Sequence, residues 1–203
     1  MAKINRQIFD REVNKIVFSK DIQSLAYQRA SKDLEKYKRE TVAEFNNHVV
    51  TQELDAGADG KNISDTLPGT KEDANLFSFI GFSRGDKPTD KIRQILNSKI
   101  TLSQKPTSKK NEKGILFKFS VNIPTLKEIE SETPLPWETG RSWIKGIERG
   151  ISGLGYFLSG IFNSPEPSLS GGGIQSKFKV RAGSFAPRKY LSEILKNLKN
   201  KLE

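Results

Sequence analysis

Cysteine is absent from all 203 residues, and histidine occurs once. The first absence excludes disulfide frameworks, thiolate metal sites and thiol nucleophiles together, and it suits a reducing compartment or a virion assembled in one. The second leaves His48 with no cysteine and no second histidine to share a metal ion, so a structural or exposed role is expected of it. Apolar side chains are sparse as well, at 34%, against roughly 45–50% in a compact globule by a count that also includes glycine. No stretch approaches the ~18 consecutive apolar residues of a membrane span, and Met1 to Gln7 carries no apolar core of a signal peptide. The chain is therefore expected to be soluble, to have no membrane partner and not to be exported by that route. Much of its length should serve as surface, loop or subunit contact.

What is abundant is positive charge. Thirty-four Lys and Arg face 24 Asp and Glu, a net charge of +10, and such a field draws nucleic acid, anionic lipid or acidic protein without choosing among them. The stretch from Gly171 to Glu203 alone contributes +6 of it. Twelve Phe, four Tyr and two Trp sit in periodic segments that leave water once given a place to pack, which argues against wholesale disorder. One domain over residues 1–203 accommodates these counts.

Along the chain, Ile22, Leu25, Ala26, Ala30, Leu34, Tyr37, Thr41 and Phe45 recur at three- and four-residue steps, which predicts a long amphipathic helix over Asp21 to Asn46. Before it, Ile4, Ile8, Phe9, Val13, Ile16, Val17 and Phe18 suit a shorter helix or an arm over residues 1–20. Residues 55–75 are polar and glycine-rich and read as a long loop, the kind that is usually functional or mobile. The run Leu76 to Phe82 reads as an aromatic strand buried on both faces, and Asp90 to Asn97 as a short helix with Thr89 as N-cap. Ile115, Phe117, Phe119 and Val121 alternate along one half-buried strand, and Ile174, Phe178 and Val180 repeat the pattern. Residues 103–114, with Lys105, Lys109, Lys110 and Lys113, have the length of a hairpin tip or projecting loop, and residues 163–173 form a third loop. A closing helix over Pro187 to Leu202 places Leu191, Ile194, Leu195, Leu198 and Leu202 on one face, with Pro187 in its first turn. The fold class is thus α+β: a long N-terminal helix and a C-terminal helix packed on a small antiparallel sheet with long loops.

The candidate chemical motifs are weak. Glu128, Glu130 and Glu132 alternate on a short helix, which spreads them over different faces instead of pairing them for hydrolysis. The glycines of Gly150 to Gly155 and Gly160 lack both the Lys-Ser/Thr ending of a phosphate loop and the spacing of a dinucleotide turn, so close backbone approach or a bend is the better reading. No catalytic, metal or cofactor site is expected. Lys109, Lys110, Lys113, Lys177 and Lys179 are the candidate DNA-facing residues, through charge alone, because nothing matches a sequence-specific recognition motif.

Two segments resemble the tail-completion and head-to-tail connector proteins of tailed bacteriophages. Thr139-Gly140-Arg141-Ser142-Trp143-Ile144 is similar to that family's T-G-x-L-R-x-S element, and Phe185-Ala186-Pro187-Arg188-Lys189-Tyr190-Leu191 is similar to the start of its closing helix. The resemblance covers about a quarter of the chain, and here a large stretch separates the long helix from the Thr-Gly element. It implies a non-enzymatic, ring-forming neck or tail-completion subunit of the virion, assembled in the host cytoplasm. Its neighbours would be portal or adaptor and tail-tube proteins, with DNA passing nearby. Trp137, Trp143, Arg141 and Tyr190 are the candidate interface residues, since large aromatics and arginine dominate interface energetics, with core packing of Trp137 and Trp143 equally compatible. A basic protein that binds nucleic acid without sequence preference is the alternative, and a hydrolase lacks a constellation to support it.

Overall fold

The computed structural model describes residues 15, 20–67, 75–104, 106–111, 114–136, 138–150 and 186–202. The apolar segment before Lys20, the loop 163–173, the strand expected around Ile174 to Val180, and Lys113, Trp137, Lys177 and Lys179 lie outside them.

Helix α1 spans Lys20–Asn47 and buries Leu34, Thr41 and Phe45, the second half of the apolar stripe seen in the sequence. The first half runs beyond the core, and Leu25 is 61% exposed. The chain breaks at His48 and resumes as α2, Val49–Asp55, followed by a single 3-10 turn, Gly57–Asp59. Residues 55–67 of the expected long loop are thus a helix end and tight turns. Helix α4, Pro88–Lys99, starts with proline in its first turn, where a missing N–H breaks no bond. Thr89 is consequently inside this helix and buried rather than its N-cap.

Between α2 and α4 the structure corrects the strand expected at Leu76 to Phe82. Leu76–Ile80 is a short helix, α3, whose N-cap Asn75 accepts the Ser78 N–H and whose C-cap Gly81 takes the left-handed conformation at φ 93°. A continuous apolar run does not by itself separate a buried strand from a buried helix. The burial pattern does: Leu76, Phe77 and Ile80 face the core, which is helical spacing and not the every-second-residue spacing of a strand.

Among the described residues the strands form three antiparallel pairs. β1, Thr101–Leu102, pairs with β4, Val121–Asn122, and β2, Thr107–Asn111, pairs with β3, Gly114–Lys118. These two pairs stack into one two-stranded arm, bridged by a Ser103 N–H to Ser120 carbonyl bond of 2.8 Å. The ladder slips between Leu102↔Val121 and Thr107↔Lys118, where one strand spends two more residues than the other. The slip includes Pro106, which has no N–H to give the ladder. Where a hairpin tip or projecting loop was expected over 103–114, residues Thr107–Asn111 are instead the outgoing strand of the hairpin. The alternation also holds across the break: Phe117, Phe119 and Val121 are half-buried while Leu116, Lys118 and Ser120 are exposed. The third pair joins β5, Pro134–Leu135, to β6, Glu138–Ser142.

Helix α5, Leu126–Ser131, begins with a capping box in which Thr125 and Glu128 satisfy each other's backbone N–H. Helix α6, Trp143–Arg149, is capped by Ser142. Helix α7 is Leu191–Leu202, four residues shorter at its start than the sequence suggests. Residues 186–190 form an extended strap instead, because the Ala186 and Arg188 N–H groups bond to the carbonyls of Thr66 and Ile147. The α+β class holds, and the interior is built mainly helix on helix: Phe45, Leu54, Phe77, Ile92, Trp143 and Ile194 belong to one apolar cluster to which every helix contributes. Each such side chain, fully buried, contributes about 1.5–3 kcal/mol.

Candidate functional site

The densest group of polar side chains lies where α1, α2, α4 and the strap converge. Arg93 on α4 donates from Nε to Asn46 Oδ1 at 2.8 Å, and from Nη1 to Thr89 Oγ1 and Asp90 Oδ1 at 2.8 Å each. Its Nη2 pairs with Asp55, which also accepts the Thr89 hydroxyl. The guanidinium lies 5.7 Å from the centre of the Phe45 ring, so one planar cation with a fixed fork of donors joins three helices. Partial burial opposes its charge, but the hydrogen bonds to Asp55 and Asp90 outweigh this and hold its pKa above the ordinary arginine value.

Across Phe45 lies the ring of Tyr190, stacked at 5.8 Å, with His48 on it at 4.7 Å. Tyr190 is fully buried, and its hydroxyl shares a 2.6 Å hydrogen bond with Thr51. Burial raises its pKa well above the usual phenol value, so it stays a neutral hydroxyl. His48 caps α2 by accepting the Val50 N–H on Nδ1 at 3.2 Å. This is the structural role its isolation in the sequence suggested.

Two more carboxylates and an amide act as fasteners. Glu53, fully buried on α2, accepts the N–H groups of Ser64 at 2.8 Å and Leu76 at 2.6 Å. Asn75 donates from Nδ2 toward the carbonyls of Gly57, Ala58 and Gly60 at 2.6–3.1 Å. Glu148 on α6 accepts the N–H groups of Tyr190 and Ser192 and the Ser192 hydroxyl, at 2.6–3.1 Å, which caps the start of α7 from another element. Sequence reasoning did not single out Arg93, Asp55, Glu53, Asn75 or Glu148. Their most distant partner lies 47 residues away, and apart from the Asn75 cap on Ser78 no short-range pattern announces them.

Of the candidate interface residues, Trp143 and Tyr190 are buried in the chain's own core, Trp143 with its ring edge-on to Phe82 at 5.8 Å, which is the core packing held open for it. Their size serves the fold rather than a partner. Arg141 is exposed on β6. Lys109 and Lys110 occupy β2 opposite Leu116 and Ile115, while Lys118, at the base of β3, is exposed. Glu128, Glu130 and Glu132 do not converge: Glu128 belongs to the capping box, and Glu132 pairs with Lys91 at 3.1 Å. Among the described residues no three His, Cys, Asp or Glu side chains are placed to hold a metal ion, and no helix is long and apolar enough to cross a membrane.

The remaining candidate is the surface made by the arm and the first half of α1. Tyr27 and Phe119 meet edge to face at 5.9 Å and fix the two elements together, leaving Leu25 and Leu116, 61% and 49% exposed, on the outside. No protein-family model, no curated protein and no solved structure matches this chain.

Proposed function

We propose that the chain is a non-enzymatic structural subunit of a tailed bacteriophage: a ring-forming neck or tail-completion protein that joins head and tail through portal or adaptor and tail-tube proteins. The observation that carries this reading is the projecting surface. Two exposed leucines are ordinary on a monomer. Here, however, they sit on a ribbon and a helix that extend away from the core. The ribbon's outer edges have no sheet partner among the described residues, and open edges of this kind pair readily with another chain. The buried Glu53, Asn75 and Thr51, by contrast, are consumed in fastening the chain to itself. The two segments that carry the family resemblance are also joined: the strap bonds to Ile147 and Glu148 at the end of α6, the helix that begins within Thr139 to Ile144.

The test is the mass of the purified protein in solution by light scattering, at low and high salt, alone and with separately purified head and tail components. A closed oligomer, or a monomer that joins one of those components, supports the reading; a monomer that joins none removes it. The second reading, nucleic-acid binding without sequence preference, is favoured by the placement of Lys109, Lys110 and Lys118 on the same arm. It requires affinity for short duplex DNA that falls steeply as salt rises, as released counterions dictate.

A further inference from the structure

His48 occupies the one-residue break between α1 and α2. Its ring makes one hydrogen bond and one ring contact. Nδ1 accepts from the Val50 N–H at 3.2 Å, and the ring lies on that of Tyr190, with centroids 4.7 Å apart. The ring therefore joins the start of α2 to the strap that leads into α7. This arrangement needs one neutral tautomer, because a protonated Nδ1 carries a hydrogen where the Val50 N–H now points.

The charges that favour protonation of the ring include Glu193 from α7, Glu148 from α6 and Glu44 from α1. Glu44 also accepts the Asn197 side chain of α7 at 2.6 Å, and Glu148 is the cap of that helix. On the far side of Tyr190, Arg93 and Asp55 act on its hydroxyl. Burial of the imidazole outweighs the Lys189 backbone and the three glutamates, which favour its charge, and it holds His48 below its ordinary value of 6.5.

We propose that His48 is a proton-operated latch: its protonation breaks the cap on α2, draws Glu44 and Glu148 away from α7, and frees the strap and the C-terminal helix from the rest of the core. The inference is independent of the virion assignment. It concerns how firmly α7 is held, and it makes α7 the element that acid exposes to a partner.

The sign follows from the lowered value. Between the folded-state value and 6.5 the unfolded or opened state binds a proton that the closed state excludes. The latch's contribution is complete above 6.5, falls as pH drops from there to the folded-state value, and is constant below it. One proton changes the opening equilibrium by at most about tenfold per pH unit.

Because His48 is the chain's sole histidine, its ring signal in a proton NMR titration is unambiguous, and a midpoint below 6.5 is expected. Amide exchange in the intact protein, corrected for intrinsic rates, should show Ile194, Leu195 and Leu198 losing several-fold more protection than Ile95 and Leu96 between pH 7.2 and 5.8. His48→Asn keeps an acceptor at the cap at every pH, and this variant should abolish that difference. A midpoint at or above 6.5, or equal loss of protection in α4 and α7 of the native chain, overturns the latch. So does an unchanged difference in His48→Asn, and the two native-chain measurements decide the matter even if that variant does not fold.

Discussion

At the scale of single residues, the amide of Asn75 has its oxygen on the Ser78 N–H and its nitrogen within 3.1 Å of three carbonyl oxygens. Asn75→Asp keeps the cap but sets a carboxylate oxygen against those carbonyls in a nearly water-free pocket. Urea denaturation at pH 7 should show a loss of about 2–4 kcal/mol, the cost of a buried acceptor with no donor. Tyr190→Phe is a smaller and cleaner change. It keeps the ring between Phe45 and His48 but leaves the buried Thr51 hydroxyl without the partner now at 2.6 Å, for an expected loss of about 1–2 kcal/mol in the same measurement. Acid acts separately on the exposed capping box of α5: the Thr125 hydrogen bonds hold Glu128 below its ordinary 4.5. That contribution is present above 4.5 and is lost as pH falls through the folded-state value, whereas the His48 window opens at 6.5.

Among the elements, the turn after α2 is the tightest. A Cβ on Gly60 would lie 2.7 Å from the Ala56 Cβ and 3.3 Å from the Gly57 carbonyl, and neither is the end of a flexible side chain. Gly60→Ala should therefore cost about 1–3 kcal/mol. Adding Ala56→Gly should return part of that loss, and the coupling is read from a double-mutant cycle of thermal or urea midpoints. Element types were legible wherever neighbours along the chain carry the information. The stripe of α1, the apolar spacing of Ile92, Ile95 and Leu96 in α4, and that of Leu191 to Leu198 in α7 each state a helical period, and the alternation of Phe117, Phe119 and Val121 states a strand. The segment Leu76 to Ile80 was misread because all its residues are apolar or small, so no period is visible. Its caps, Asn75 and Gly81, are the local signal that marks it as a helix.

For the whole molecule, assembly and fold should respond to different residues. Leu116→Glu changes an exposed position of the arm and should leave the urea midpoint of the subunit unchanged within about 0.5 kcal/mol. If the arm packs between subunits, light scattering should show the oligomer shifted toward monomer, since a charge is then buried at a contact. A full-size oligomer in this variant would place the contact elsewhere. The candidate site was the less legible part: the net charge and the lysines of the arm were visible from composition, whereas the fasteners around Arg93 and Tyr190 were not.

The sequence by itself determined the amphipathic helices, the hairpin arm with its half-buried aromatic face, the lack of thiol chemistry and the isolation of His48, because each is stated by composition or by residues within a few positions of one another. Only the tertiary structure decided that Trp143 and Tyr190 lie inside. It also decided that residues 186–190 are a strap and not a helical turn, and that Glu53, Asn75, Arg93 and Glu148 bind distant backbone and side-chain groups. A hydrogen bond is worth most where water is excluded, and which groups lose their water together depends on how the helices pack.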